Sequence, residues 1–532
     1  TQSTWGNYRV VSSVSMAVAR EALKERLIGF LMWGTILSSG AFILFRIFRL
    51  LLFFGNQHSY WSASLAALAF IAFLVSNLVF SSAIHSVSSC QPLSVATPSE
   101  LILALLRFIF FASSPKESGS SHAFRSRFAV ASLLFSFIVV ASLSTVTSIA
   151  SITTSVSSKA LTRGLVAGAV YSIVYLCKQR WIMSFPIIQR PLFFSFKLGI
   201  HPAIANSFKI ANAAYFLSLL TTLLQRESSA KSPSSMFRDE ALQYLGTFFV
   251  FLSWEMNHHL YQILHTKRMT FASPKGSFSE ANPNEQLLAA LEDTQPGSLV
   301  QCLAYLDLCF VSESNVYASR RSSFFEETSE TYKRVVSACL KPLEQFISNV
   351  NESFPEKGTN FSTQMLPPSD PFIFSNVHVF NNFQQCAWGA RAAASLTARS
   401  HKEDRFGVAQ LSGSNALVIS TLISALLAVE AVMGKKTTAR LQNNLGFSLM
   451  KSNVGNVVQK PRSGVILAKA YSMADMLRCS IYYIVSSFYE EMAACSKSGA
   501  LQKNWVVTVR VQFGSNEVVL QKLRLFIDYS VN

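Results

Sequence analysis

Residues Ile28–Phe54 read IGFLMWGTILSSGAFILFRIFRLLLFF. No acidic residue and only Arg46 and Arg49 interrupt this run. A helix rises about 1.5 Å per residue, so it is long enough to cross a hydrocarbon core of about 30 Å. The two arginines lie near its far end, where they snorkel to the interface or mark the end of the span near Arg46.

Outward from this stretch the pattern repeats. Ser62–Phe80, SASLAALAFIAFLVSNLVF, is a second span, and the short connection makes the pair an antiparallel hairpin. Further spans are expected at 127–152, 161–180, 206–224 and 241–264, with the first two at 28–50 and 62–82. Leu101–Phe111 is too short to span, so it reads as a buried or surface-lying helix. Lys178–Pro202 mixes basic, aromatic and proline residues in the manner of a membrane interface, with an interfacial helix expected at 187–198.

The charge distribution agrees with a membrane half. Residues 1–264 hold 20 Lys/Arg against 8 Asp/Glu, and residues 265–532 hold 26 against 21. Basicity concentrated beside apolar spans sets topology and meets lipid headgroups. No basic stripe interleaved with aromatics points to direct nucleic-acid binding. With six spans both ends share one side, together with the loops after the second and fourth spans. That side holds Arg20, Lys24, Arg26, Arg107, Lys178, Arg180, Arg190, Lys267 and Arg268 among others, so both ends are expected in the cytosol. Since the chain opens on Thr1, a further segment is expected upstream.

The reading is thus an all-α polytopic membrane protein: a cytosolic segment 1–27, a transmembrane domain 28–264, and a mainly helical soluble domain 265–532. Polar groups in the spans have two readings. Glu255 and His259, four apart with His258 between, suit a proton relay or a metal pair, or simply a membrane exit where they meet water. The exit reading is the more economical, and the order HExxH is absent. Ser132, Ser136, Ser142, Ser144, Thr145 and Thr147, with Asn77 and Asn212, are expected to support helix packing.

In the soluble half, residues 285–314 suggest two helices broken at Pro296, the second with Leu299, Leu303, Leu306 and Phe310 at helical spacing. Helices are expected at 323–350, 384–398, 412–433 and 468–496. A proline-rich linker covers 351–380, a loop covers 434–465, and Val506–Phe513 alternates like a strand. ALVISTLISALLAVEAV (416–432) is apolar enough for a seventh span, but the expectation is a buried helix. The eight cysteines form no CxxC pair and read as reduced, cytosol-facing thiols. The sequons at Asn351 and Asn360 face the cytosol in this topology. No phosphate loop, dinucleotide fingerprint or nucleophile elbow is present, and no cofactor, metal site or catalytic residue is expected. Asp307 reads as a fold-stabilising or capping residue. Arg320 and Arg321 read as partners of Glu326 and Glu327, or of an acidic protein.

The block LLAALEDTQPGSLVQCLAYLDLCFVSES from Leu287, followed by RRSSFF at Arg320–Phe325, resembles the conserved six-span transmembrane nucleoporin of the nuclear pore membrane ring, the nuclear-division-cycle family, in its plant-like version. The resemblance implies a scaffold that anchors the pore complex where the two nuclear membranes meet. Implied partners are the β-propeller nucleoporin ALADIN, a membrane-binding inner-ring nucleoporin with an RRM-like fold, other pore membrane proteins, and further copies within a ring. Leu303, Leu306, Asp307, Leu308, Arg320, Arg321, Phe324 and Phe325 are the residues expected to be fold-critical or partner-docking. The alternative is a transporter or channel of the endomembrane system with a cytosolic regulatory domain.

Overall fold

A computed structural model describes residues 2–52, 63–92, 120–153, 158–186, 189–224, 233–272, 284–292, 297–326, 329–353, 380–446, 463–507 and 512–529. The chain divides into two compact units. One comprises residues 20–267, the other residues 1–19 with 268–532.

The first unit is built from α1 (Gln2–Leu52) from Arg20 onward, α2 (Ala63–Val87), α3 (Ser120–Thr153), α4 (Ser158–Cys177), α5 (Leu192–Leu224) and α6 (Pro233–Thr266). Chain neighbours pack against one another from α2 to α6, and α6 also reaches α2 and α3. Its interior is aromatic. Phe80 stacks on Trp254 at 3.6 Å between ring centroids, and Tyr171 meets Trp254 edge-on at 4.9 Å. Such pairs each contribute about 0.5–1.5 kcal/mol beyond area burial.

Hydroxyls supply the rest of the glue. Ser76 on α2 donates to the Ser144 carbonyl at 2.7 Å and accepts from Thr147 and Ser148 on α3, both at 2.8 Å. Ser253 on α6 donates to Asn77 Oδ1 at 3.1 Å, and Tyr244 donates to Asn212 at 2.6 Å. These are the packing roles expected of polar groups in spans. Where α3 and α4 cross, Gly168 lets the backbones touch: an added Cβ would lie 2.5 Å from Ser142 Cα.

Outward faces are apolar. Phe193, Phe216, Phe135, Leu50 and Leu68 are each about two-thirds exposed. Rows of large exposed apolar side chains require a lipid surround. Among the described residues, five helical segments are long and apolar enough to cross a membrane: Val18–Leu51, Ser64–Val87, Arg127–Thr153, Ala160–Cys177 and Ser414–Gly434. The chain is therefore an all-helical polytopic membrane protein with a helical C-terminal region.

Two expectations need adjustment here. The sequence places an interfacial helix at 187–198 and a separate span at 206–224. One continuous helix, α5, instead runs from Leu192 to Leu224 with Pro202 inside it. Within their described residues α5, with Lys197, His201 and Lys209, and α6, with Glu255, His258 and His259, are less apolar than the five. The surface helix expected at 101–111 and the linker at 351–380, apart from its first three residues and Phe380, lie outside the described residues.

The second unit contains α7 (Glu285–Leu291), α8 (Leu299–Glu313), α9 (Ala318–Ser322), α10 (Glu330–Ser353), α11 (Phe383–Glu403), α12 (Val408–Leu411), α13 (Ser414–Gly446), α14 (Ser463–Ser487), α15 (Tyr489–Ser498), α16 (Leu501–Trp505) and α17 (Asn516–Tyr529). Helix α11 lies at its centre, against α8, α10 and α14, and α13 packs on α10 and α14. Ala390, Ala392, Ala393 and Ala394 make α11 thin enough for this. Gly389 brings it onto α10, since a Cβ there would lie 2.5 Å from the Cys339 carbonyl oxygen.

The apolar helix 416–432 sits inside this packing. Of its membrane-length window, 72% is buried by other helices, against 28–39% for the four windows of the first unit. Glu430 on the same helix pairs with Lys522 at 2.9 Å and Arg478 at 3.1 Å. Helix α13 also continues to Gly446, into the stretch expected as a loop from 434. The helix expected from 323 begins instead at Glu330, because Phe324 and Phe325 turn inward after α9. Residues 508–511 of the expected strand at 506–513 lie outside the described residues, and helices α16 and α17 flank it.

Candidate functional site

Helix α8 begins where Gly297, at φ 79°, turns the chain and Ser298 accepts from Gln301 N at 3.2 Å. It ends at Ser314, which is extended and caps the next turn. Between these caps nearly every side chain is buried, including Leu303, Leu306 and Leu308. An all-round apolar helix must be surrounded, and Asp307 stands in its middle with no exposed surface.

A buried carboxylate is tolerated only when its lone pairs and charge are answered. Arg268 donates to Asp307 Oδ1 from Nε at 3.0 Å and from Nη2 at 2.7 Å. Arg320 Nη1 donates to Oδ2 at 2.9 Å, as does the Phe271 backbone N–H at 3.1 Å. The Arg320 guanidinium also bonds Asn284 Oδ1 and the Phe271 carbonyl. Arg268 lies over the Phe310 and Tyr317 rings at 4.7 and 4.5 Å, a cation–π arrangement.

Arg321 has a different partner. It is 1% exposed and grips Glu403 at the end of α11. Its Nη1 donates to the carbonyls of Val311 and Ser314. Sequence proximity suggested Glu326 and Glu327 for both arginines; the fold delivers Asp307 and Glu403 instead. Phe324 and Phe325 are buried, the latter beside Tyr332 at 5.2 Å. Around them burial pushes the Cys309 thiol up to about 12, and the Tyr305 hydroxyl donates to Ala338 O on α10 at 2.8 Å. Among the eight singled-out residues, Asp307 and Arg320 belong to one ion-paired group with Arg268 and Asn284, and Arg321 to another with Glu403; the sequence does not assign Arg268, Asn284 or Glu403 to these groups. Glu403 carries no local signal in its polar SHKED surroundings.

A second site lies in the membrane unit, where α4 and α6 end and α5 begins. Gln179, at φ 51°, turns the chain after α4, and Ser89 pairs with Ile182 in a parallel bridge. The turn carries Arg180 to Glu255, which also accepts from Tyr171 at 3.0 Å. Glu255 is 1% exposed, at the wall of a cavity beside Arg180 and Tyr171. His258 faces Tyr175 at 3.3 Å, and His259 Nε2 donates to the Ser195 carbonyl at 3.1 Å. Among the described residues no three of His, Cys, Asp and Glu gather to hold a metal. Beside these groups opens a cavity of about 850 Å³, also lined by Arg190, Lys267, Leu192 and Leu198.

Residues 43–376 match the family described as nucleoporin protein Ndc1-Nup, more than half of the 532 residues. The chain belongs to that family. The Ndc1-Nup match covers most of the membrane unit and continues past Arg321, so it takes in both the basic cavity and the Asp307 core. Membership makes the protein a membrane-embedded, multi-pass nucleoporin of the nuclear pore. Comparison with curated proteins finds no match.

Proposed function

We propose that the protein anchors the nuclear pore scaffold to the pore membrane and aids pore assembly, as the plant version of its family. The family match across membrane helices and the ion-paired core carries this reading. Residues 28–264 supply six spans, with α5 and α6 as the fifth and sixth, and both ends face the cytosol or nucleoplasm. Residues 265–532 supply the docking surface. Its partners are ALADIN, the membrane-binding inner-ring nucleoporin with an RRM-like fold and other pore membrane proteins, with further copies in a ring. The role is structural. The eight residues act in it as fold-critical groups, since seven are buried and Arg320 is held by Asp307, Asn284 and the Phe271 carbonyl.

The test is localisation of the tagged full chain with proximity labelling from its C-terminus. A punctate nuclear rim with inner-ring nucleoporins labelled is expected. Deleting 265–532 is expected to leave membrane insertion and remove recruitment. A uniform reticular signal without pore proteins would overturn the reading and favour a transporter or channel.

A further inference from the structure

The cavity at the end of α4 and α6 has chemistry that packing alone does not account for. Arg180, Arg190 and Lys267 line it, against the single carboxylate of Glu255. Arg180 is committed to that carboxylate. The Arg190 and Lys267 side chains are exposed, and among the described residues neither makes an ion pair or hydrogen bond. Two free cations therefore face a cavity whose internal charge is already balanced. Such a site favours an anion.

The opposite wall identifies the rest of the ligand. Leu192 and Leu198 of α5 line the cavity and are themselves exposed, and Phe193 and Phe194 beside them are exposed too. One apolar surface thus runs from inside the cavity onto the outside of a membrane helix. A ligand that satisfies both walls has an anionic head and a hydrocarbon tail. Gly199 keeps the cavity's inner end tight, because a Cβ there would fall within the His259 ring. The volume, about 850 Å³, is in the range of small-ligand sites.

The location suits such a ligand. Arg26, midway along α1, donates to the Lys267 carbonyl at 2.8 Å, so a further cation stands beside Lys267. Basic pockets between helices at this level hold lipid head groups. We infer that this cavity binds the phosphate head of an acidic phospholipid, with Arg190 and Lys267 as its cations and the exposed Leu192 and Leu198 of α5 against its acyl chain. The inference rests on the membrane reading of α4–α6 and not on the pore-anchoring role.

The experiment uses the full chain, purified in detergent and exchanged into phosphatidylcholine with or without phosphatidic acid. Native mass spectrometry then counts the lipids retained. The wild type is expected to retain phosphatidic acid over phosphatidylcholine. Arg190→Gln with Lys267→Gln is expected to lower that preference by about 30-fold, from about 1 kcal/mol for each interfacial cation at 1.4 kcal/mol per tenfold. Lys178→Gln with Lys197→Gln removes two exposed cations at the same end that do not line the cavity. That control is expected to keep the preference.

Equal loss in both pairs would assign the effect to general interfacial charge and overturn the site, as would an unaltered preference in the first pair. Glycerol 3-phosphate is the competing probe. Displacement of the lipid at equimolar concentration would overturn the lipid assignment for a soluble phosphate, and failure to displace supports it. A protein that reaches the nuclear rim yet shows no lipid preference loses this inference alone.

Discussion

Arg321 and Glu403 lie 82 residues apart in the chain and meet end to end, with Nε to Oε2 at 2.8 Å and Nη2 to Oε1 at 2.7 Å. Through that pair the turn after α8 is fastened to the end of α11. Because Arg321 is 1% exposed while Glu403 reaches solvent, losing the acid leaves a buried guanidinium without its counter-ion. Glu403→Ala is expected to cost about 3 kcal/mol. Chemical unfolding of the full chain in detergent, followed by tryptophan fluorescence, measures this. A cost under about 0.5 kcal/mol, typical of a surface pair, would remove the contact from those that hold the fold.

The same pair carries a pH dependence. The hydrogen bond from Arg321 holds the Glu403 carboxyl below its ordinary value, against the opposing effect of burial, and the charges of Arg321 and Arg399 act in the same direction. A depressed folded-state value adds stability above the ordinary carboxylate range, and that stability is lost as pH falls through the depressed value. The stability gap between wild type and Glu403→Gln is therefore expected to be full at pH 7 and to close below about pH 4. A gap that stays constant between pH 7 and pH 3 would contradict it.

Asp307 answers two arginines from the centre of an apolar helix. Asp307→Asn keeps the shape and removes the charge, so Arg268 and Arg320 face a neutral amide in a buried site. The expected cost is about 3–5 kcal/mol. Hydrogen exchange of the α8 amides is expected to accelerate, with the membrane helices unaffected. Protection equal to wild type would show that the carboxylate charge is not needed.

Burial separates the thiols. Cys309 and Cys386 are pushed up to about 12, and Cys339 is raised further in the same core. Cys479 is exposed. Since the thiolate is the reactive form, a maleimide at pH 8 is expected to label Cys479 in the folded chain and to reach the other three only after denaturation. Peptide mass spectrometry reads the sites; native labelling of Cys309 or Cys339 would refute the packing of α8 on α10.

Close approach of α3 and α4 depends on Gly168. Gly168→Val drives a side chain into Ser142 and Thr145 and is expected to destabilise the bundle by about 1–3 kcal/mol. Gly29→Ala, with nothing within 4 Å of the added Cβ, is the matched control and is expected to be near neutral. Thermal aggregation in detergent ranks the two, and equal midpoints would show that α3 and α4 do not approach through Gly168.

Long apolar runs such as Ile28–Phe54 and Ser62–Phe80 were readable because span length and composition are local properties of consecutive residues. The α8 helix was readable for the same reason: the spacing of Leu299, Leu303, Leu306 and Phe310 acts within a few residues, whereas its cap at Ser298 came only from the structure. The arginine partners were not, since Glu326 is near in sequence while Glu403 is near only in space. Helix α13 shows the other limit. Its composition permits a span or a core helix equally, and the burial of 72% of its window depends on α10, α11 and α14 surrounding it.

Sequence by itself determined that this chain is helical, that its first half lives in lipid, and that its basic residues gather beside the spans. Those properties follow from hydrophobic length and charge placement, which solvent reads residue by residue. Tertiary structure alone decided that Arg180 meets Glu255, that Asp307 is shared by two arginines, and that Arg190 and Lys267 are left facing an open cavity. Each of those depends on which helix ends converge, and pairing of buried charges is a property of converged elements rather than of neighbouring residues.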